Sequence, residues 1–352
     1  MNRSNFLKTS LLAGAGIALE GRKSFSAPKK QKSSNKILNS YYFRAHTYTL
    51  VPHQVSEDLK WMADAGTNVV SVAVLEQDLF AAQENLEIIC NQAARLGMEV
   101  WAVPSRWGGL VAGAPKVPSL FTILNQETWK KNKDGSFASS DVSGRMSSIF
   151  HPATSEFMQE TAKKVFKTWD MKGLIWDEPK SLGPDYHELA IKKLGENPTS
   201  EAFIDANVEF YSRINKSIKS DFPTKEIGLF IYANKNDMTV RKCATIDDMD
   251  VYGCDGRPWG TIDGGKQESE GKVLLDGVGQ RFIDAAKAND KKSLWLIENH
   301  NMADDDIPIL EKRLPELIAS DVDHLVYYYY PRNLSSPDKI MNIIKKNIQK
   351  YR

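Results

Sequence analysis

The feature that most restricts how this chain can fold is an alternation running through nearly all of it. Eight short apolar runs stand at residues 37–45, 68–75, 99–104, 173–177, 227–232, 249–252, 293–298 and 324–330. Their length and their Val, Ile, Tyr and Trp content are those of buried strands. Between them, residues 56–65, 83–96, 155–168, 201–219, 279–288, 307–319 and 337–348 carry apolar side chains at helical spacing. Only the interval after the fifth run, near residues 237–242, has a weak helical pattern. Ser56 and Ser155, each followed by Glu, read as helix starts, and Gly66 and Gly97 stand where a helix must stop before the next strand. The three consecutive acidic residues from Asp304 read as the start of another helix, complementing its dipole.

Strands alternating with helices imply a parallel sheet with right-handed crossovers. Eight such units predict an α/β chain closed as a single (β/α)8 barrel over residues 37–352. A Gly-x-Gly-x-x-Gly turn does not follow the first strand, which argues against a dinucleotide-binding sheet. The long Gly-, Ser- and Lys-containing segment 106–149 follows the third strand, on the side where a barrel builds its active site.

Composition excludes several classes. The 46 Lys and Arg against 45 Asp and Glu leave a net charge of +1, too even to drive binding to nucleic acid. With 41% hydrophobic residues the chain can bury a core, and neither disorder nor a disulfide scaffold fits. Cys90, Cys243 and Cys254 lack zinc-ligand spacing, the histidines are scattered, and neither metal nor cofactor is expected. A single Cys243–Cys254 bridge is conceivable from sequence.

Residues 1–27 carry Arg3 and Lys8, then an apolar centre, then small residues at Ser24, Ser26 and Ala27. This is the pattern of a cleavable export signal, too short to span a bilayer, which takes about 20 apolar residues. The NFLK core resembles a twin-arginine signal, with Ser4 in place of the second arginine, so the general secretory route stays open. Residues 28–36 read as a polar tether, and the expected location is periplasmic or extracellular. A membrane span is not expected.

In a barrel, the C-terminal strand ends point at the active-site mouth. Those ends supply Arg44 and His46, then Glu76, then Arg106 and Trp107, then Asp177 and Glu178. They continue with Asn234, with Tyr252, Asp255 and Trp259, with Glu298 and His300, and with Tyr330 and Arg332. Carboxylates end strands four and seven, while aromatic and cationic side chains fill most other positions. Glu298 is a charge at the tip of an apolar run, and Pro179 fixes the chain just after Glu178. Asp177 beside Glu178 would help keep an acid protonated only if both carboxylates share the cleft, and strand alternation points adjacent residues to opposite faces.

The Asp-Glu-Pro at residues 177–179 and the second Glu at the end of strand seven resemble the retaining glycoside hydrolases of the clan A barrel type. Those proteins carry Asn-Glu, often Asn-Glu-Pro, where this chain has Asp177-Glu178. The resemblance implies a glycoside hydrolase acting on oligo- or polysaccharides, with Glu178 as general acid/base and Glu298 as nucleophile. It implies substrate contacts from Arg44, His46, Arg106, Trp107, Asp177, Asn234, Tyr252, Asp255, Trp259, His300, Tyr330 and Arg332. Tyr252 would donate to Glu298, while Trp107, Trp259 and Tyr330 would stack on sugar rings. Three alternatives stand beside it: a substrate-assisted, hexosaminidase-like hydrolase using Asp177 and Glu178; a metal-dependent barrel of the isomerase or aldolase kind, with Glu178, Asp255, Glu298 and His300 as candidate ligands though the histidines lack ligand spacing; and a non-catalytic glycan-binding barrel. Each site residue also has a structural reading: a rim ion pair for Glu178, a helix cap for Glu298, a loop anchor for Trp107.

Overall fold

A computed structural model describes residues 37–42, 51–113, 116–257, 262–263, 266–267, 274–300, 302–329 and 335–350. Residues 1–27 and 28–36, expected from sequence to be an export signal and a tether, lie outside them. Eight strands build the barrel: β1 (Ile37–Tyr42), β2 (Val69–Leu75), β3 (Glu99–Ser105), β4 (Gly173–Asp177), β5 (Glu226–Tyr232), β6 (Val251–Gly256), β7 (Lys292–Ile297) and β8 (His324–Tyr328). They pair in parallel in chain order, and β8 returns to β1 to close the barrel. One principal helix follows each strand: α1 (Pro52–Asp64), α2 (Gln83–Arg95), α3 (Pro152–Thr168), α4 (Ser200–Asp221), α5 (Asp237–Ala244), α6 (Gln280–Lys287), α7 (Ile307–Ile318) and α8 (Pro337–Ile348). The (β/α)8 expectation is met. Among the described residues, no helix is long and apolar enough to cross a membrane.

The core is layered as strand alternation requires. Val69, Trp101, Val103, Ile175, Phe230, Leu294, Leu296 and Val326 fill the barrel interior. Their neighbours Val70, Ala102, Leu174, Trp176, Leu229, Trp295 and Leu325 face the helices. Glycine is required at two interior positions: a Cβ at Gly173 would stand 2.6 Å from the Trp101 ring, and one at Gly253 would stand 1.8 Å from the Leu294 carbonyl oxygen.

Several local expectations are corrected. Helices α1 and α3 begin at Pro52 and Pro152, leaving Ser56 and Ser155 inside the helices and not at their starts. Proline's fixed φ and missing N–H suit the first helical position, which outweighs a Ser-Glu pair. The weak stretch after β5 is a helix, α5, whose first turn is capped by Asn236 accepting from the Thr239 amide at 2.9 Å. Gly66 and Gly97 do end their helices, with φ of 93° and 69°. Cys90, Cys243 and Cys254 are buried free thiols. Cys243 on α5 and Cys254 on β6 are not bridged.

The sixth strand runs later than the apolar pattern indicated, through Gly253 to Gly256 instead of stopping at Tyr252. Gly253 weakens the hydrophobic signal, yet it is what lets β6 approach β7. The shift places Asp255, not Tyr252, near the strand's end.

Candidate active site

A cavity of about 500 Å³ opens at the C-terminal ends of the strands. Strand alternation brings Asp177 of β4, Tyr232 of β5, Asp255 of β6, Glu298 beyond β7 and Tyr328 of β8 to its floor. Glu178 joins them by a different route. It follows an inward residue and should face outward, but its φ of 41° lies in the left-handed region. This turn swings its side chain into the cavity beside Asp177. Left-handed backbone costs a non-glycine residue roughly 1–2 kcal/mol, a conformation that persists where surrounding structure imposes it. Here the Glu178 amide donates to the Phe230 carbonyl at 3.0 Å, tying the turn to β5.

The carboxyl groups converge. One oxygen from each of Glu178, Asp255 and Glu298 lies within 4.8 Å of the others. The Lys180 ammonium pairs with Glu178 and also donates to the Tyr232 hydroxyl at 3.3 Å. The Tyr232 ring lies against this pair, with the Lys180 ammonium 4.6 Å from its centre. The Arg257 guanidinium lies 3.9 Å from the Glu298 carboxylate and donates to the Glu298 and His300 carbonyls at 3.0 and 2.9 Å. So protein cations already meet the negative charge of the two glutamates, as a bound cation would.

Burial dominates the acid–base properties. It raises the Asp177 carboxyl to about 7, with help from the neighbouring Glu178 charge and against Tyr41, Lys180 and Arg106. The Tyr41 hydroxyl donates to Asp177. Asp255 is pushed well above the usual carboxylate range by burial, then by the charge of Glu178 and a hydrogen bond to it, then by Glu298 and Asp177. Burial and the same carboxylates raise the phenols of Tyr41, Tyr232 and Tyr328, keeping them as donors. Arg106, half-buried in the cavity wall, is lowered by burial and donates to the Gly113 carbonyl at 2.6 Å.

The segment after β3 forms the adjoining wall. Its start is stitched to β4, with the Ala112 amide donating to the Asp177 carbonyl and the Lys180 amide to the Leu110 carbonyl, both at 2.7 Å. Further on, a short hairpin pairs Ser139–Ser140 with Gly144–Arg145, and Ser140, Val142 and Ser143 reach the cavity. Glu76, at the end of β2, organises this wall from beneath. It accepts from the Gly108 amide at 3.0 Å, and from the Ser119 hydroxyl and Phe121 amide at 2.7 Å.

Of the residues expected at the site, Arg106, Asp177, Glu178, Asp255, Glu298 and His300 line the cavity together. Three do not. Tyr252 faces the helices, its hydroxyl donating to the Val240 carbonyl at 2.9 Å, so it cannot hold Glu298. Trp107 is fully buried, donates to the Val74 carbonyl at 2.8 Å and packs edge-on against Trp176 and Phe157, which makes it a loop anchor. Asn234 is exposed in the turn after β5, outside the cavity wall. Arg44, His46, Trp259, Tyr330 and Arg332 lie outside the described residues. Residues the sequence reading did not select are Tyr41, Lys180, Tyr232, Arg257 and Tyr328. Strict alternation from the buried centre of β5 and β8 would have found the two strand-end tyrosines. Lys180, three residues past the end of β4 in an irregular turn, carries no such signal.

Comparisons with solved structures agree with this architecture. A β-galactosidase from the haloarchaeon Halorubrum lacusprofundi superposes with a TM-score of 0.64 at 14% identity, over 90% of this chain and 58% of that one. A β-galactosidase from Marinomonas ef1 gives 0.65 at 10% identity, over 89% of this chain and 59% of that one. The catalytic domain of a β-amylase from Paenibacillus polymyxa gives 0.61 at 11% identity, over 90% and 98%. The fold is that of glycoside hydrolase barrels. This chain thus spans less than two thirds of the two galactosidases but nearly all of the amylase domain. No protein-family model matches the sequence, and a comparison with curated proteins finds no match.

Proposed function

We propose that this chain is an exported glycoside hydrolase that cleaves oligo- or polysaccharides with retention of configuration. The observation that carries the reading is the approach of Glu178 and Glu298 across one cavity, with carboxylate oxygens within 4.8 Å. Carboxyl groups about 5–5.5 Å apart suit attack on the anomeric carbon, whereas roughly 6.5–9.5 Å leaves room for a water and inversion. The similarity of the fold to galactosidases and an amylase supports the sugar substrate.

In this mechanism Glu298, beside the Arg257 guanidinium, remains an anion facing C1 of the sugar. Glu178, held by Lys180 and the left-handed turn, faces the glycosidic oxygen and delivers a proton as the C1–O bond breaks. Glu298 bonds to C1, and a water then displaces it with Glu178 taking the proton. Arg106 and His300 are placed to bind hydroxyls.

The test is hydrolysis of a panel of aryl glycosides, with the anomer of the product read by proton NMR. Glu178→Gln and Glu298→Gln should each lose about 10²–10⁴-fold in kcat/KM, and the product should retain its configuration. Glycan binding without turnover, unchanged in Glu178→Gln, would replace this reading with a non-catalytic barrel. The shared cavity of Asp177 and Glu178, with Tyr41 on Asp177, favours the substrate-assisted mechanism as the second reading. There Asp177 would orient an acetamido group, and Glu298→Gln would stay active on N-acetylhexosaminides. Export rests on residues 1–27, and amino-terminal sequencing of the mature protein from the periplasm or medium checks it.

A further inference from the structure

We infer that Arg106 and Lys180 form a subsite for the acidic group of a sugar, a carboxylate or a sulfate ester, so that the glycans this cavity accepts are anionic ones. The substrate half of this inference rests on the hydrolase reading; the anion site itself does not.

The backbone sets both cations on one wall. Arg106 is the first residue after β3 and Glu178 the first after β4, and these two strands are neighbours in the sheet. Each of the two residues has a left-handed backbone, with φ of 62° and 41°. Such strained positions in non-glycine residues cluster at ligand clamps, where the surrounding structure imposes them. Here three backbone hydrogen bonds do so. The Arg106 amide donates to the Ala112 carbonyl at 2.9 Å, the Ala112 amide to the Asp177 carbonyl at 2.7 Å, and the Lys180 amide to the Leu110 carbonyl at 2.7 Å. The turn around Ala112 therefore holds the two cations in register. It also fixes the Arg106 guanidinium, which donates to the Gly113 carbonyl at 2.6 Å. Only glycine brings that carbonyl there, since Gly113 has a φ of 115° and a Cβ on it would stand 1.8 Å from the Ser105 hydroxyl.

Both side chains line the cavity. A fixed guanidinium fork matches the paired oxygens of a carboxylate or a sulfate. An ammonium has three donors, and Lys180 directs one to Glu178 and one to the Tyr232 hydroxyl, which leaves one for a ligand. Sugar hydroxyls could accept from either group, but they bring no charge to offset the burial of a cation, whereas an acidic substituent does. The carboxylates of the floor do not repel an anion from this wall. Lys180 pairs with Glu178, and the Arg257 guanidinium lies 3.9 Å from the Glu298 carboxylate. Burial favours the neutral form of Asp255 and, below about pH 7, of Asp177. Around the cavity the cations Arg106, Lys180 and Arg257 then face the anions Glu178 and Glu298, a balance that favours a negative ligand.

Two measurements test this on the full chain. The first is binding by titration calorimetry, recorded below the Asp177 titration at about 7. Glucuronate, galacturonate and sulfated galactose are the acidic probes, and glucose and galactose the neutral ones. An acidic probe should bind at least about tenfold tighter than its neutral counterpart, the size of a hydrogen bond to a charged group. An advantage for the uronates identifies a carboxylate as the recognised group, and one for the sulfated sugar identifies a sulfate. The advantage should vanish in Arg106→Gln, shrink in Lys180→Gln and survive in part in Arg106→Lys, which keeps the charge but not the fork. Lys180→Gln, on the turn after β4, keeps the test decisive if Arg106→Gln disturbs its own wall. Acidic and neutral probes bound alike, or an advantage that both glutamine variants keep, overturns the subsite. The second measurement compares aryl uronides and sulfated aryl glycosides with neutral aryl glycosides as substrates. The acidic ones should lead by at least about tenfold in kcat/KM. Hydrolysis of the neutral glycosides alone overturns the subsite while leaving the hydrolase reading intact. Binding of acidic sugars that depends on Arg106, in a protein that hydrolyses none of the panel, overturns the hydrolase reading and leaves the anion site standing.

Discussion

The left-handed turn at Glu178 is the residue on which the site depends, because without it Asp177 and Glu178 would face opposite sides of β4. Asparagine tolerates this conformation better than glutamate does. Glu178→Asn should therefore abolish hydrolysis while raising the thermal midpoint, an increase of about 1 kcal/mol in stability from relief of backbone strain. Thermal unfolding of the two proteins side by side reads it. A second residue-scale prediction concerns Asp177. Its carboxyl titrates at about 7 in the folded protein against 3.8 as the ordinary value. The native state then holds a proton that the unfolded chain releases, so this group's stability is fully present below about pH 4 and is lost as pH rises through about 7. The difference amounts to roughly 4 kcal/mol at most. Denaturant midpoints should fall with pH across that window in the unsubstituted protein and fall much less in Asp177→Asn.

At the scale of elements, the wall after β3 depends on one buried carboxylate. Glu76 accepts three hydrogen bonds, from Gly108, Ser119 and Phe121, and so ties the short helical turn Trp107–Gly109 to the start of the helix Leu120–Leu124. Glu76→Gln turns a donor toward these donors and should cost about 2–3 kcal/mol. It should also expose the segment 106–149 to limited proteolysis and reduce activity through Arg106, whose side chain is held by the Gly113 carbonyl of that wall. Trp107 contributes as packing beneath the same wall, so Trp107→Phe, which removes its bond to the Val74 carbonyl, should lower stability by about 1 kcal/mol with little change in KM.

For the whole molecule, the decisive constraint is closure of the barrel. β6 and β7 approach so closely at Gly253 that a single methyl would collide with the Leu294 backbone. Backbone cannot yield as a flexible side chain can. Gly253→Ala should destabilise the protein by at least about 3 kcal/mol, measured by chemical denaturation, and disturb Asp255 two residues on. The barrel's curvature makes the site, since its carboxylates come from strands four, six and seven, whose C-terminal ends surround one cavity.

The sequence by itself determined the eight-unit barrel, because apolar periodicity is a local property that each strand and helix carries independently. It also located Asp177, Glu178 and Glu298, since charges at the tips of buried strands stand out against their surroundings. Tertiary structure alone decided the rest. It moved the end of β6 from Tyr252 to Gly256, because the glycine that weakens the hydrophobic pattern, Gly253, is the one that permits close strand packing. It sent Trp107 into the core and Lys180 onto Glu178, since side chains in irregular turns follow no period. And it brought Asp255 against Glu178, a contact between two carboxyl groups that neither segment's sequence encodes and that exists only because a closed sheet places their strand ends around one cavity.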